Sequence, residues 1–249
     1  MRADGAELKP SASRYCRAAS GGKSGQGGPA PKSAACKLLT DIGFLGDGSK
    51  PQRLARNQVL AGEGQVGRQV FAVVEGALAS YRRGEDGKSQ VFAFHFPGDL
   101  ITLAWPDGVM PVTLKAMMAS QVFSLTEDAL RKVLHRDADC GLALFGQVAS
   151  LLAGQQGGLF NQHRRSVERR LADFLIESGR HLGVLEGMRL VISLPMRRCE
   201  IASYLGLRSE TLSRIFARWR AIGMIEEGDL REICFPDVRR LEAIGCDRH

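Results

Sequence analysis

From about position 58 the chain alternates apolar and polar residues in short runs, and past position 126 the spacing lengthens to every third and fourth position. Residues 58–60, 70–74, 76–82, 90–96, 112–117 and 121–125 are such runs, separated by turn-formers such as Gly84-Glu-Asp-Gly87. Short strands at this spacing predict an antiparallel roll or barrel. Thr126 then opens a helix with acids in its first turn and Leu130, Val133 and Leu134 on one side. A longer helix starts near Asp137 or Asp139 and runs to about Asn161, with Phe145, Val148, Leu152 and Leu159 forming a seam that Gln155 and Gln162 complete. A seam of that spacing pairs two chains, although the core helix of a monomer shares the pattern. Gly154, Gly157 and Gly158 each cost a helix interior about 1 kcal/mol, so they mark a close approach or a kink.

The C-terminal third is helical with brief interruptions. Ser166 caps a helix whose inward positions are Val167, Leu171, Phe174 and Leu175, and residues 191–194 form a strand that Pro195 ends. Two helices follow, broken at Gly206. Residues 224–235 form two strands around Gly228-Asp229, and Pro236-Asp237 opens a last helix through Val238, Leu241 and Ile244. At the other end, residues 1–35 are rich in Gly, Ser, Ala, Pro and Lys and cannot bury enough surface to offset ordering, so they read as a disordered basic tail. The expected organisation is α+β: a tail 1–35, an antiparallel β-roll 36–136, a chain-pairing helix 137–165, and a broken helix pair with a β-hairpin wing 166–249.

Within the broken helix pair, Ile201, Leu205, Leu207, Leu212 and Ile215 point inward and Ala202 is small enough for the helices to cross. Glu210, Ser213 and Arg214 are left outward on one face at the start of the second helix. Such a helix fits the DNA major groove: Arg214 can donate to guanine O6 and N7, Glu210 can accept from cytosine N4, and Ser213 can bond either way. Arg197, Arg198, Arg208, Ser209, Thr211, Arg218 and Arg220 are candidates for phosphate contacts, which position without carrying base information. Ser209 is a better helix cap than Arg208, which leaves the helix start open by one residue.

Charge supports this reading. The net charge is +7, and residues 161–220 hold twelve Arg against six Asp plus Glu. Arginine forks suit phosphates and guanines, so double-stranded DNA is the expected partner. Cys16, Cys36, Cys140, Cys199, Cys234 and Cys246 lack metal-site spacing and read as thiols of a cytoplasmic protein. The uncharged run 140–162 carries too many Gln and Gly residues to span a membrane. Gly62-Glu-Gly-Gln-Val-Gly67 fits a dinucleotide fingerprint but leads into a strand instead of a helix, and Gly22-Lys-Ser24 has no strand before it. No catalytic or metal-ligating constellation is found, so neither enzyme activity nor a cofactor is expected.

The stretch Leu194-Pro-Met-Arg-Arg-Cys-Glu-Ile-Ala-Ser-Tyr-Leu-Gly-Leu-Arg-Ser-Glu-Thr-Leu-Ser-Arg214 resembles the DNA-binding segment of the CRP/FNR superfamily of bacterial transcription regulators. Glu210, Ser213 and Arg214 match the E-x-x-S-R pattern of its FNR and FixK branch. The resemblance extends to Val59-Leu-Ala-Gly-Glu-Gly64, Val73-Val-Glu-Gly76 and Phe96-Pro-Gly-Asp-Leu100 of the roll. It implies a homodimer reading a palindrome of the TTGAT-N4-ATCAA kind, with RNA polymerase as a further partner. Cyclic-nucleotide-binding members carry an Arg-Ser-Ala segment, whereas residues 100–113 hold Asp107 but no Arg, so no cyclic nucleotide is expected. Members with an iron-sulfur cluster carry four grouped cysteines, and Cys16 and Cys36 do not supply them. His95 reads as a strand histidine and not as a haem ligand. A roll that binds another small effector is the alternative. Cys199, beside Arg197 and Arg198 at a helix start, is a candidate redox-sensitive thiol.

Overall fold

The computed structural model describes residues 52–84, 87–102, 104, 106–136, scattered positions between 139 and 152, and residues 166–227 and 232–246. The proposed N-terminal tail and Leu159 lie outside the described residues.

The N-terminal half is an antiparallel roll of two four-stranded sheets. In chain order its strands are β1 (Gln52–Leu54), β2 (Val59–Ala61), β3 (Gln69–Glu75), β4 (Leu78–Arg83), β5 (Ser89–His95), β6 (Leu100–Ile101), β7 (Thr113–Ala116) and β8 (Ser120–Thr126). One sheet has the order β1-β8-β3-β6 and the other β2-β7-β4-β5. Side-chain alternation explains why β3 is apolar throughout. Phe71 and Val73 enter the core between the sheets, where they meet Leu54, Leu78, Leu114 and Val122, while Val70 and Ala72 face the other way against Phe123, Leu125 and Leu130. Leu130 belongs to α1 (Glu127–Arg136), which covers that outer face. At the β3–β4 turn Gly76 has φ +87°, and a Cβ there would stand 2.5 Å from the Ala119 carbonyl oxygen, so no other residue fits.

The six predicted strands of the roll are present, and β1 and β6 join them. The segment after β6 fills the roll: Ala104, Met110 and Val112 pack in the same core as β3 and β4. The sequence 62–67 is a loop, as expected, held by Gly64 and Gly67 at positive φ before β3 begins.

The C-terminal domain comprises α2 (Val167–Leu182), β9 (Gly183–Glu186), β10 (Arg189–Ser193), α3 (Arg198–Tyr204), α4 (Ser209–Ala221), β11 (Glu226–Glu227), β12 (Glu232–Phe235) and α5 (Val238–Cys246). Ser166 caps α2 by accepting from the Arg169 N–H at 3.2 Å. The strands form a sheet in the order β11-β12-β10-β9, with Leu190, Ile192 and Phe235 fully buried beneath Leu171 and Leu175 of α2. β9 extends the sheet beyond the predicted strands, and β11 and β12 form the wing.

Candidate nucleic-acid interface

The α3–α4 pair owes its geometry to its ends. Leu205 closes α3, and Gly206 then takes φ +64°. This left-handed residue lets the Leu207 N–H reach the Ala202 carbonyl (2.8 Å) and the Gly206 N–H reach that of Ser203 (3.1 Å), a Schellman closure. Arg170 of α2 adds a guanidinium bond to the Leu205 carbonyl at 2.9 Å, placing positive charge at the negative end of α3. The same closure recurs after α4. Gly223 has φ +61°, the Met224 N–H reaches the Trp219 carbonyl, and Arg240 bonds the carbonyls of Ile222 and Gly223.

Burial orients α4. Leu212, Ile215, Phe216 and Trp219 are buried at the i, i+3, i+4, i+7 positions, so the opposite face is outward. Glu210, Ser213 and Arg214 are all exposed there, together with Arg208, Ser209 and Thr211 around the helix start. Arg208 occupies the N-cap without a side-chain bond, so Ser209 is the first helical residue and not the cap.

Three of the sequence-predicted phosphate candidates are engaged within the chain. The Arg198 guanidinium lies 4.1 Å over the Phe216 ring, which ties α3 to α4 by a cation–π contact. Arg218 pairs with Glu168 at the start of α2. Arg197 reaches the Glu200 carboxylate at 3.5 Å. Arg214, Thr211 and Arg218 border a groove of about 470 Å³ against residues 166–168.

Sequence reasoning missed the contacts that hold this pair against the roll. Glu200 is 8% exposed and accepts from the Arg197 backbone N–H at 2.7 Å and from the Tyr81 hydroxyl at 2.9 Å. Burial pushes its carboxyl up, but those two donors and the Arg197 guanidinium outweigh it and hold the group below the usual range. Tyr81 is driven well above the ordinary phenol value by burial and by that bond. The Ser203 hydroxyl accepts from the Val91 N–H of β5 at 3.1 Å. Phe94 of β5 meets Phe174 of α2 (centroids 5.6 Å) and Tyr204 of α3 (5.1 Å), and Phe174 and Tyr204 meet each other at 5.6 Å. A pairing across more than a hundred residues, as between Tyr81 and Glu200 or Val91 and Ser203, leaves no local signal in the sequence. Cys199 is exposed and borders a cleft with Tyr81, Lys115 and Ser203, on the side of α3 that meets the roll. His95 is half-buried, 2.6 Å from Ser80 Oγ, and desolvation lowers it to about 4, so the imidazole is held neutral.

Outside the roll, the helical residues Leu142, Phe145, Val148 and Leu152 all expose apolar side chains, and Phe145 is 72% exposed. Among the described residues no group of three or more metal-ligating side chains is assembled, and no helix is long and apolar enough to cross a membrane.

Known proteins show the same arrangement. The family model for the Crp-like helix-turn-helix domain matches residues 169–244, and that for the cyclic nucleotide-binding domain matches residues 51–137. The transcriptional activator protein FnrA of Stutzerimonas stutzeri is 30% identical over 210 residues, covering 83% of each chain. The transcriptional activatory protein AadR of Rhodopseudomonas palustris is 31% identical over 231 residues, covering 85% of this chain and 91% of its own. The solved structure of FixK2 from Bradyrhizobium japonicum superposes with a TM-score of 0.69 at 27% identity, over 80% of this chain and 98% of that one.

Proposed function

Since the chain belongs to the CRP/FNR family of transcription regulators, on its FNR/FixK-like branch, and is no enzyme, we propose that it acts in the cytoplasm as a homodimer on a TTGAT-N4-ATCAA-like palindrome. The observation that carries this reading is the outward set Glu210, Ser213 and Arg214 on α4, which faces away from the buried ridge of Leu212, Phe216 and Trp219. Each set reads one half-site, and two sets one DNA turn apart read the palindrome. The apolar stripe Leu142, Phe145, Val148 and Leu152 supports pairing, with Leu159 continuing the seam. Arg208, Ser209 and Thr211 position the phosphates; Arg197, Arg198 and Arg218 join them only by giving up the contacts described above. RNA polymerase is the further partner.

The proposed dimer works without a cyclic nucleotide. Residues 100–113 supply no arginine for a cyclic phosphate, and Ala104, Met110 and Val112 of that segment pack into the roll core. A second reading, a regulator gated by another small molecule, is favoured by the contacts between roll and α3. Cys199 on that side of α3 is the thiol whose oxidation would disturb them. The test is fluorescence anisotropy of the reduced, ligand-free protein on a TTGAT-N4-ATCAA duplex and on a scrambled one at a fixed, stated salt concentration. Selective binding supports the ligand-free reading. Equal, weak binding to both duplexes overturns it and leaves the gated regulator.

A further inference from the structure

The buried ridge of α4 decides which face of the helix is outward, but apolar contacts are non-directional and set no axial position. Reading base edges needs side chains held to within about 0.5 Å. We propose that Arg240 of α5 is a positioning residue for α4: it fixes the helix along its axis and so governs how sharply the chain discriminates its operator, without itself contacting DNA. This rests on the reading role given above to Glu210, Ser213 and Arg214.

The first support is a planar clamp on the end of α4 remote from the reading residues. One terminal nitrogen of the Arg240 guanidinium donates to the Gly223 carbonyl at 3.0 Å and the other to the Ile222 carbonyl at 3.2 Å. Two donors in one rigid fork fix direction as well as distance, which a point-like ammonium cannot do. The same end of the helix carries negative partial charge, so a cation is favoured there. Asp237, in the turn before α5, engages Arg239 instead, at 2.8 and 2.9 Å.

The second support is the fixed base of the clamp. On α5, Val238 and Leu241 flank Arg240 and are buried, and the Val238 N–H bonds the Met188 carbonyl at 2.9 Å. α5 also lies so close to α2 that a Cβ on Gly245 would meet Asp173 Oδ1 at 3.1 Å and Ile176 Cδ1 at 3.3 Å. α2 in turn sends Arg170 to the Leu205 carbonyl at the end of α3. Both carbonyl ends of the helix pair are therefore tied by guanidinium groups to one base of α2 and α5. The wing strands β11 and β12 lie within the segment that Arg240 closes, so the clamp seats the wing as well. Ile222 is eight residues beyond Arg214, about 12 Å along the axis. With both terminal nitrogens engaged on the chain there, Arg240 acts through α4 and not on a phosphate.

The test compares Arg240→Gln and Arg240→Lys with the parent chain. Without DNA, hydrogen exchange by mass spectrometry reads the clamp. Arg240→Gln is expected to speed exchange in peptides spanning 219–226 at least tenfold, while peptides spanning 168–178 of α2 keep their rate. With DNA, anisotropy on the TTGAT-N4-ATCAA and scrambled duplexes reads the consequence. The ratio of operator to scrambled affinity should fall at least fivefold in both variants, with scrambled binding and its salt slope unchanged. Lysine keeps the charge but not the fork, so it would restore a phosphate contact and not a clamp. Unchanged exchange overturns the clamp. Equal weakening on both duplexes with a shallower salt slope, rescued by Arg240→Lys, overturns the proposal in favour of a phosphate contact. An unchanged ratio despite faster exchange reduces Arg240 to a helix cap and overturns it too. A parent chain without preference for the operator duplex overturns the operator assignment and with it the discriminating role, while exchange, which involves no DNA, still decides the clamp.

Discussion

Glu210 stands on the exposed face of α4 and Arg208 at its N-cap, and their separate removal should distinguish base reading from phosphate positioning. Glu210→Ala is expected to relax preference at one position of each half-site while leaving affinity for scrambled DNA nearly unchanged. Arg208→Ala should instead weaken both duplexes alike and reduce the salt dependence, as read by anisotropy over a range of salt concentrations. A different residue sets a pH dependence of stability. His95 is held neutral by burial, with its value lowered from 6.5 to about 4, so between those values the unfolded chain binds the proton that the fold refuses. Stability should therefore fall as pH drops from about 6.5 to about 4, by up to roughly 3 kcal/mol from this group. His95→Gln, whose amide can still bond Ser80, should flatten that slope in urea titrations at each pH. At this scale the sequence was legible where a helical face decides exposure, as for Glu210, Ser213 and Arg214. It was less so for Arg198 and Arg218, whose ring and carboxylate partners come from other helices.

Helices α3 and α4 depend on a turn that needs positive φ. Gly206→Ala meets no steric neighbour, yet it forces an L-residue to φ +64° and should cost about 1 kcal/mol of stability, measured as a lowered urea midpoint with an unchanged slope. The elements read correctly from sequence are those whose own residues carry the period: the long runs of β3, β4 and β5, and the i, i+3, i+4 ridge of α4. β1, β6 and β9 were not read, because their own residues carry too little alternation to mark them and the partner's ladder defines them. β1 exists through its register with β8, Gln52 opposite Val122 and Leu54 opposite Ser120.

At the scale of the whole molecule, the exposed stripe Leu142, Phe145, Val148 and Leu152 has the composition of a surface meant to be covered. Phe145→Asp combined with Leu152→Asp should convert the proposed dimer to monomers in sedimentation velocity without lowering helix content. Removing the Tyr81 hydroxyl with Tyr81→Phe strips the buried Glu200 of a donor and should destabilise the chain by about 1–2 kcal/mol in urea denaturation. The roll and the domain were each legible in the sequence, but their docking was not, since Tyr81 and Glu200 lie 119 positions apart. That docking bears on solubility as well as on regulation. β5 is the last strand of its sheet, and its Val91 N–H is satisfied by Ser203 of α3. Any motion that swings α3 away uncovers a seven-residue edge strand with an exposed Phe92, a ready template for strand addition by a second molecule. The DNA-binding helix pair thus also guards the sheet against self-assembly, and weakening its seat on the roll should appear as aggregation before it appears as lost DNA recognition.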